Sequence, residues 1–365
     1  MNIDFHYGIV YIVSRMAGMS GDQAAVVAHA CQYVDDATTD GPLRFAGQQS
    51  FDRFASAHAM LDYRNVMQAR DERVWAPFHF LPSGEGHTVE ERLVCRPNSK
   101  PAQLLVRHVL NAHKASASDN DLHRLGVCLH TYVDTWAHQG FSGIMSDRNH
   151  VLELMGDFHP TVGHWLTELA GYVEHAGEVV EAKAINYLSK VGHGAALHYP
   201  DLPWVTWRYR NGLDETIDRN NLPDFVAAAD MACKAVQAFL ANEDQFEGQP
   251  GLDATNKAAL TNLMAQNTNH DGDKRLAVIA AALAQSGVGG LKEPLPPYIA
   301  KGEGSWKYLA TGITADDDTL YDAVDRPEWS ETFEGSDYRK VHDAIKQHRH
   351  FVTEDLLLSF GLRLA

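Results

Sequence analysis

The sequence predicts an all-α fold, a multi-helix bundle with long irregular loops. Apolar residues recur at helical spacing in several stretches that open on cap residues. Gly and Pro gather in the links between them. No alternating strand pattern stands out, and there is no internal repeat or low-complexity tract.

Taken in order, Ser20 reads as a helix cap with Gln23 three residues on, the pattern of a capping box. That helix would cover 24–36 and stop near Thr39-Asp-Gly-Pro42. A second helical stretch is expected over 50–64. Residues 65–100 read as irregular because Pro77, Pro82, Gly84, Gly86 and Pro97 interrupt them. Two helices, 101–115 and 121–141, flank the polar run Ser116-Ala-Ser-Asp-Asn120. Helical patterns return at 162–172 and 177–188, and an irregular aromatic segment runs from 193 to 209. A helix opened by Pro223 is expected over 221–242, since Pro favours a first turn. Shorter pieces at 255–266 and 274–284 precede a Gly/Pro loop at 287–297, and a last helix covers 337–360. The expected organisation is a helical core over 1–243, with a less regular region over 244–365 packed on the same domain.

Composition limits the function. With 365 residues and 45% apolar side chains, the chain can bury a large core. A net charge of −17 argues against a stable nucleic-acid partner, because nonspecific affinity needs cations that release counterions from phosphates. No apolar run is long enough for a membrane span. The first residues lack the basic and apolar regions of a secretory signal, so the expected compartment is the cytoplasm. Cys31, Cys95, Cys128 and Cys233 form no C-x-x-C pair; Cys31 and Cys128 fall inside predicted helices as buried thiols. The 20 histidines are spread along the chain.

The most informative segment is His130-Thr-Tyr-Val-Asp134-Thr-Trp-Ala-His138. On a helix these three ligand types share one face, each close to the next. Two imidazoles and a carboxylate suit a borderline divalent cation such as zinc, and Asp134 is placed to bridge two ions. Asp35 and Asp36 end an apolar helix, where carboxylates oppose the helix dipole and favour a compensating cation. One of the two is expected to face solvent. Asp4 and His6 would share a side of an extended segment. His79 lies in Pro77-Phe-His-Phe80 as either a core filler or an oriented ligand. His193, His198 and Asp201 form a second loop cluster beside Trp204 and Trp207.

In this order, the N-terminal Asp/His, Tyr33-Val-Asp35, Phe78-His-Phe80, His130-x-x-x-Asp134 and the later histidines resemble the zinc phospholipase C and single-strand-specific zinc nuclease superfamily. The resemblance covers about residues 1–201. It implies an all-helical fold holding two or three zinc ions. Asp35, His79, His130 and Asp134 would hold one ion, and Asp134 would bridge to a second bound by His6. The family completes that second site with an N-terminal Trp; this chain has none there, so Asp4 is expected to substitute. His138 and His193 would hold a third ion, with His198 or Asp201 finishing the set. Two features depart from the family pattern. His138 follows Asp134 by only four residues, and Leu197 stands where a final His-x-x-x-Asp/Glu would end.

The chemistry implied is hydrolysis of a small phosphate-containing substrate by metal-activated water, with Asp35 and Asp134 at the catalytic centre. Iron or manganese could replace zinc in such a carboxylate-rich site. Phe78, Phe80, Trp136, Tyr199, Trp204 and Trp207 are candidates to wall the pocket. Two alternatives remain. One is an HD-type phosphohydrolase using His270-Asp271 or His342-Asp343, and the other is a protein that binds zinc without catalysis.

Overall fold

A computed structural model describes residues 1–58, 68–156, 192–315 and 326–364. Its centre is a pair of closely packed helices, α2 (Gly21–Asp36) and α6 (Asp121–Ala137). Ser20 and Gln23 form the expected capping box at the start of α2. Every residue of α6 from Leu125 to Ala137 is buried. It is a core helix with neighbours all round, which explains why its polar residues must find partners inside the protein.

Ahead of α2 lie a π-helical turn, Asp4–Ile9, and α1 (Val10–Met16). After it come α3 (Gln68–Phe78), α4 (Val89–Arg92) and α5 (Lys100–Ala115). The second half supplies α7 (Asn221–Leu240), α8 (Ala254–Gln266) and α9 (Gly272–Gln285). Two short helices, α10 (Trp306–Thr311) and α11 (Glu331–Glu334), precede α12 (Asp337–His350). The chain continues past α12 through a π turn, Phe351–Leu356, to Ser359. Residues of both halves, among them Val10, Leu129, Ile279 and Val352, share one apolar core. No described helix is long and apolar enough to cross a membrane.

The all-α expectation is corrected: the fold is mixed α/β. Strands β1 (Gly41–Arg44) and β2 (Ser50–Arg53) form an antiparallel pair, and β3 (Val151–Gly156), β4 (Thr206–Asn211) and β5 (Thr216–Asn220) form a three-stranded antiparallel sheet in that order. In β4, Thr-Trp-Arg-Tyr-Arg-Asn does alternate, with Trp207 and Tyr209 buried against Phe141 and Tyr199. Its inward residues are aromatic and its outward ones are arginines, so it read as an aromatic loop. The four-residue strands β1 and β2 are too short to display a period, and β2 replaces the start of the helix expected over 50–64. Residues 65–100 are not uniformly irregular either: Pro77 lies in the last turn of α3, and Thr88 and Glu91 make a capping box for α4. The helical expectations over 162–172 and 177–188 lie outside the described residues.

Two buried polar residues fix the end of α6 and the turn beside it. Arg219, on β5, donates to the carbonyls of Trp136, Ala137 and Gln139, placing a cation at the C-terminus of α6. Asn221 donates to the carbonyls of Tyr199 and Leu202 at 2.6 and 2.8 Å and accepts from the Trp207 indole. Asp201 lies between those two carbonyls in sequence, so its position is set by Asn221.

Candidate metal centre

Five elements bring the ligands together. Asp35 stands one residue before the end of α2, His79 directly follows α3, and His130 and Asp134 lie on α6 with His138 at its C-cap. His193 and Asp201 come from a loop with two short 3-10 turns, and His6 from the N-terminal π turn. Three groups of ligand atoms converge: Asp35, His79 and His130; His138, His193 and Asp201; and His6, Cys31 and His130. These side chains are positioned to bind metal ions.

The first group has the dimensions of a tetrahedral site. His79 Nδ1 is 3.7 Å from Asp35 Oδ1 and 3.5 Å from Asp134 Oδ2. His130 Nε2 is 3.6 Å from Asp35, 3.4 Å from Asp134 and 3.2 Å from His79 Nδ1. Zinc–ligand bonds of roughly 2.0–2.2 Å in tetrahedral geometry put ligand atoms about 3.4 Å apart. Asp134 is placed between groups: Oδ2 faces His79 and His130, while Oδ1 lies 3.2 Å from His6 Nε2.

The tautomers decide what these atoms are. A backbone carbonyl can only accept a hydrogen bond, so a ring nitrogen beside one must carry the proton. His130 Nδ1 donates to the Cys31 carbonyl at 2.8 Å and His138 Nδ1 to the His79 carbonyl at 2.7 Å. His79 Nε2 donates to the Ser56 carbonyl at 2.9 Å, and His193 Nδ1 to the Leu197 carbonyl at 3.1 Å. In neutral rings the inward nitrogens of all four are therefore lone pairs. Around Asp134 Oδ2, acceptors meet acceptors, and among the described residues no hydrogen-bond donor pairs with that buried oxygen. Such an arrangement is unfavourable unless a cation sits among the lone pairs, and the backing carbonyls are the outer contacts that ligating histidines use.

Charge states agree with a ligand role at most positions, with Asp35 and His79 as the exceptions. Burial, with Asp134 adding to it, pushes Asp35 up to about 7, so an ion is needed there to keep the carboxylate charged. Burial drives His6 and His193 down to about 4 and His130 well below the usual imidazole range, so these rings are neutral near pH 7. Asp134 is held well below the usual carboxylate range; burial opposes this, and His138, the Met1 ammonium, His6 and His130 outweigh it. His79 is raised rather than lowered, with Asp134 and Asp35 prevailing over burial. The nearest full positive charge is the Met1 amine, 2.6 Å from Asp134 Oδ1, 3.2 Å from Asp201 Oδ1 and 3.4 Å from His138 Nε2. Its pKa is raised to about 11: burial works against the charge, and Asp134, Asp201 and Asp35 overcome it.

Eight of the ten predicted site residues come together: His6, Asp35, His79, His130, Asp134, His138, His193 and Asp201. Asp201 Oδ1 is 3.3 Å from His138 Nε2 and Oδ2 is 3.6 Å from His193 Nε2, so Asp201 closes the third group. His198 lines the adjoining cavity and belongs to none of the converging groups. Asp4 does not substitute at the second site. The segment is helical rather than extended, so residues two apart point to nearly opposite sides. Asp4 is turned away into a two-pronged ion pair with buried Arg275, at 2.7 Å for both contacts. Neither His270 nor His342 joins a converging group among the described residues.

A cavity of about 980 Å³ opens onto the centre, lined by Asp35, His79, His138, His193 and Asp201. Of the expected aromatic wall only Phe80 faces it, stacked 4.7 Å from His138. Phe78, Trp136, Tyr199 and Trp207 are buried core residues, and Trp204 packs over Arg275 instead. Trp75, Tyr298, Ile3 and Leu276 supply the apolar wall. All four were missed: nothing in an aliphatic side chain marks it for a pocket, and Trp75 and Tyr298 lie outside the segments that carry the ligand motifs. Cys31 and Met1 were missed too, since their roles arise from distance alone.

The family model that describes a family of unknown function, DUF6765, matches residues 1–356. The chain belongs to this family. The match runs through both halves of the protein, so the metal-ligand side chains and the α9 and α12 regions fall within one family unit. No curated protein and no solved structure matches the chain.

Proposed function

We propose that this member of DUF6765 is a metal-dependent phosphoester hydrolase, with zinc, two or three ions per chain, held by His6, Asp35, His79, His130, Asp134, His138, His193 and Asp201. The observation that carries this reading is the convergence of lone pairs on Asp134, its two oxygens turned to different ligand groups. The ligand order also follows the zinc phospholipase C and nuclease resemblance. When bound, divalent ions supply a nucleophilic water at neutral pH and offset charge on phosphoryl oxygens.

The chain's own residues do the rest. Asp134 would serve two ligand groups, one through each oxygen. Asp35 keeps 32% of its side chain exposed, so its group is open on the cavity side, as a catalytic rather than a closed structural site requires. The aromatic and aliphatic wall fits the apolar part of a small phosphoester. A chain of charge −17 does not favour a polymeric nucleic acid as substrate.

The test is metal content by elemental mass spectrometry on wild type and Asp134→Ala, with hydrolysis of a chromogenic phosphodiester and a chromogenic phosphomonoester. Two or three ions per chain, falling by more than one in the variant together with hydrolysis, are expected. A protein that holds no ion would overturn the reading. One that keeps its ions and cleaves neither ester would be a zinc-binding protein without this activity.

A further inference from the structure

Among the five imidazoles of the centre, one is backed differently. His79, His130, His138 and His193 each give the outward N–H to a backbone carbonyl. His6 has no such carbonyl among the described residues. Its Nδ1 faces the sulfur of Cys31 at 3.6 Å, while its Nε2 lies 3.2 Å from Asp134 Oδ1. Cys31 is fully buried and unpaired, so no disulfide competes for the sulfur. The same residue serves the neighbouring ligand too, through its carbonyl on His130, and the His6 and His130 rings stack at 3.9 Å.

We infer that Cys31 is a positioning residue for His6, and that the ion His6 holds is the exchangeable one of the centre. This rests on the metal-centre reading above. For Nε2 to present a lone pair, the proton must sit on Nδ1, and among the described residues the acceptor in reach is the Cys31 sulfur. Sulfur accepts hydrogen bonds weakly, whereas the other four rings are held by carbonyl oxygens. The outer partner of a ligating histidine sets both ring orientation and ligand basicity, so a weaker partner means a weaker ligand. Close packing of α2 on α6 makes the arrangement possible. Cys31 lies on the face of α2 that meets Gly126, where a Cβ would lie 3.0 Å from the Cys31 backbone nitrogen.

The test is release of zinc from wild type, His6→Ala and Cys31→Ala during dialysis against chelators of rising strength, followed by elemental mass spectrometry. Wild type is expected to release one ion before the rest, and His6→Ala to lack that early fraction. Cys31→Ala should hold that ion roughly tenfold more weakly, the low end of the effect of losing an outer partner because sulfur is a weak acceptor, with the remaining ions unchanged. Equal retention in Cys31→Ala and wild type would overturn the inference while leaving the metal centre intact. Wild type without any ion would instead overturn the reading it rests on. Cobalt-loaded wild type gives a check that does not depend on the variant folding. A thiolate-to-cobalt band in the near ultraviolet would make Cys31 a ligand and end the positioning role, and its absence is the expected result.

Discussion

Gly126 stands four residues before His130 on α6, and a Cβ built there would lie 2.4 Å from the Val27 carbonyl oxygen and 2.7 Å from the Ala30 Cβ. Backbone atoms at that distance cannot step aside, so Gly126→Ala should force α2 from α6. The change gains about 1 kcal/mol of helix propensity, and overpacking costs about 1–3 kcal/mol. Because the obstacle is backbone, a net loss of stability is expected in urea denaturation, together with earlier metal release as the Cys31 carbonyl draws back from His130. An unchanged midpoint and unchanged metal content would show that the close approach is not needed. The ligands themselves were legible, because His130, Asp134 and His138 repeat every four residues on one helix. Asp201 was harder to choose. The spacing rule pointed to Leu197, but Leu197 takes φ 56° between two 3-10 turns, which redirects the chain and brings the residue eight after His193 back to the centre. Cys31 carried no signal, since a thiol on an apolar helix face reads as core.

At the scale of elements, the N-terminal π turn and α9 are joined by the Asp4–Arg275 pair. Arg275 is fully buried, donates further to the carbonyls of Asn269 and His270, and lies over the Trp204 ring. Those carbonyls belong to the loop that enters the cavity wall at His270 and Asp271, so one guanidinium ties that wall to the turn carrying His6. Arg275→Met would leave Asp4 buried without a partner, a loss of about 3–5 kcal/mol. The double variant Asp4→Leu with Arg275→Met should lose less than Arg275→Met alone, a coupling read from a double-mutant cycle of denaturation midpoints. Additive losses would show that the two side chains do not depend on each other. Legibility differed by element in the same way. The helices α2, α5, α6 and α7 announced themselves through caps and long apolar periods. The hairpins did not, because strands of four to six residues offer two or three inward positions each, and α3 was hidden by a proline in its last turn. The π turn was unreadable, as the partner of its first residue, Arg275, lies some 270 residues away.

Over the whole molecule, many histidines are buried as neutral rings, and not only at the centre. His29 and His342 are each driven down to about 3, and His348 to about 4, with burial the largest cause in every case. An unfolded histidine titrates near 6.5, so between that pH and the folded values the unfolded chain binds more protons. Stability then rises with pH through this window; the contribution is fully present above about 6.5 and is lost as pH falls towards 3. Each such group adds a slope of up to about 1.4 kcal/mol per pH unit inside the window. His29 isolates the effect. It belongs to none of the converging ligand groups, is stacked on Trp306 at 3.7 Å and 16°, and its buried Nε2 has no hydrogen-bond partner among the described residues. Phenylalanine keeps the ring stack and removes the titrating nitrogen. His29→Phe should match wild type in urea denaturation at pH 7.5 and exceed it increasingly between pH 6 and 4, measured on metal-stripped protein so that ligand protonation is common to both. A variant that tracks wild type down to pH 4 would mean His29 gains a proton without cost in the folded protein, and that acid lability arises elsewhere among the buried rings.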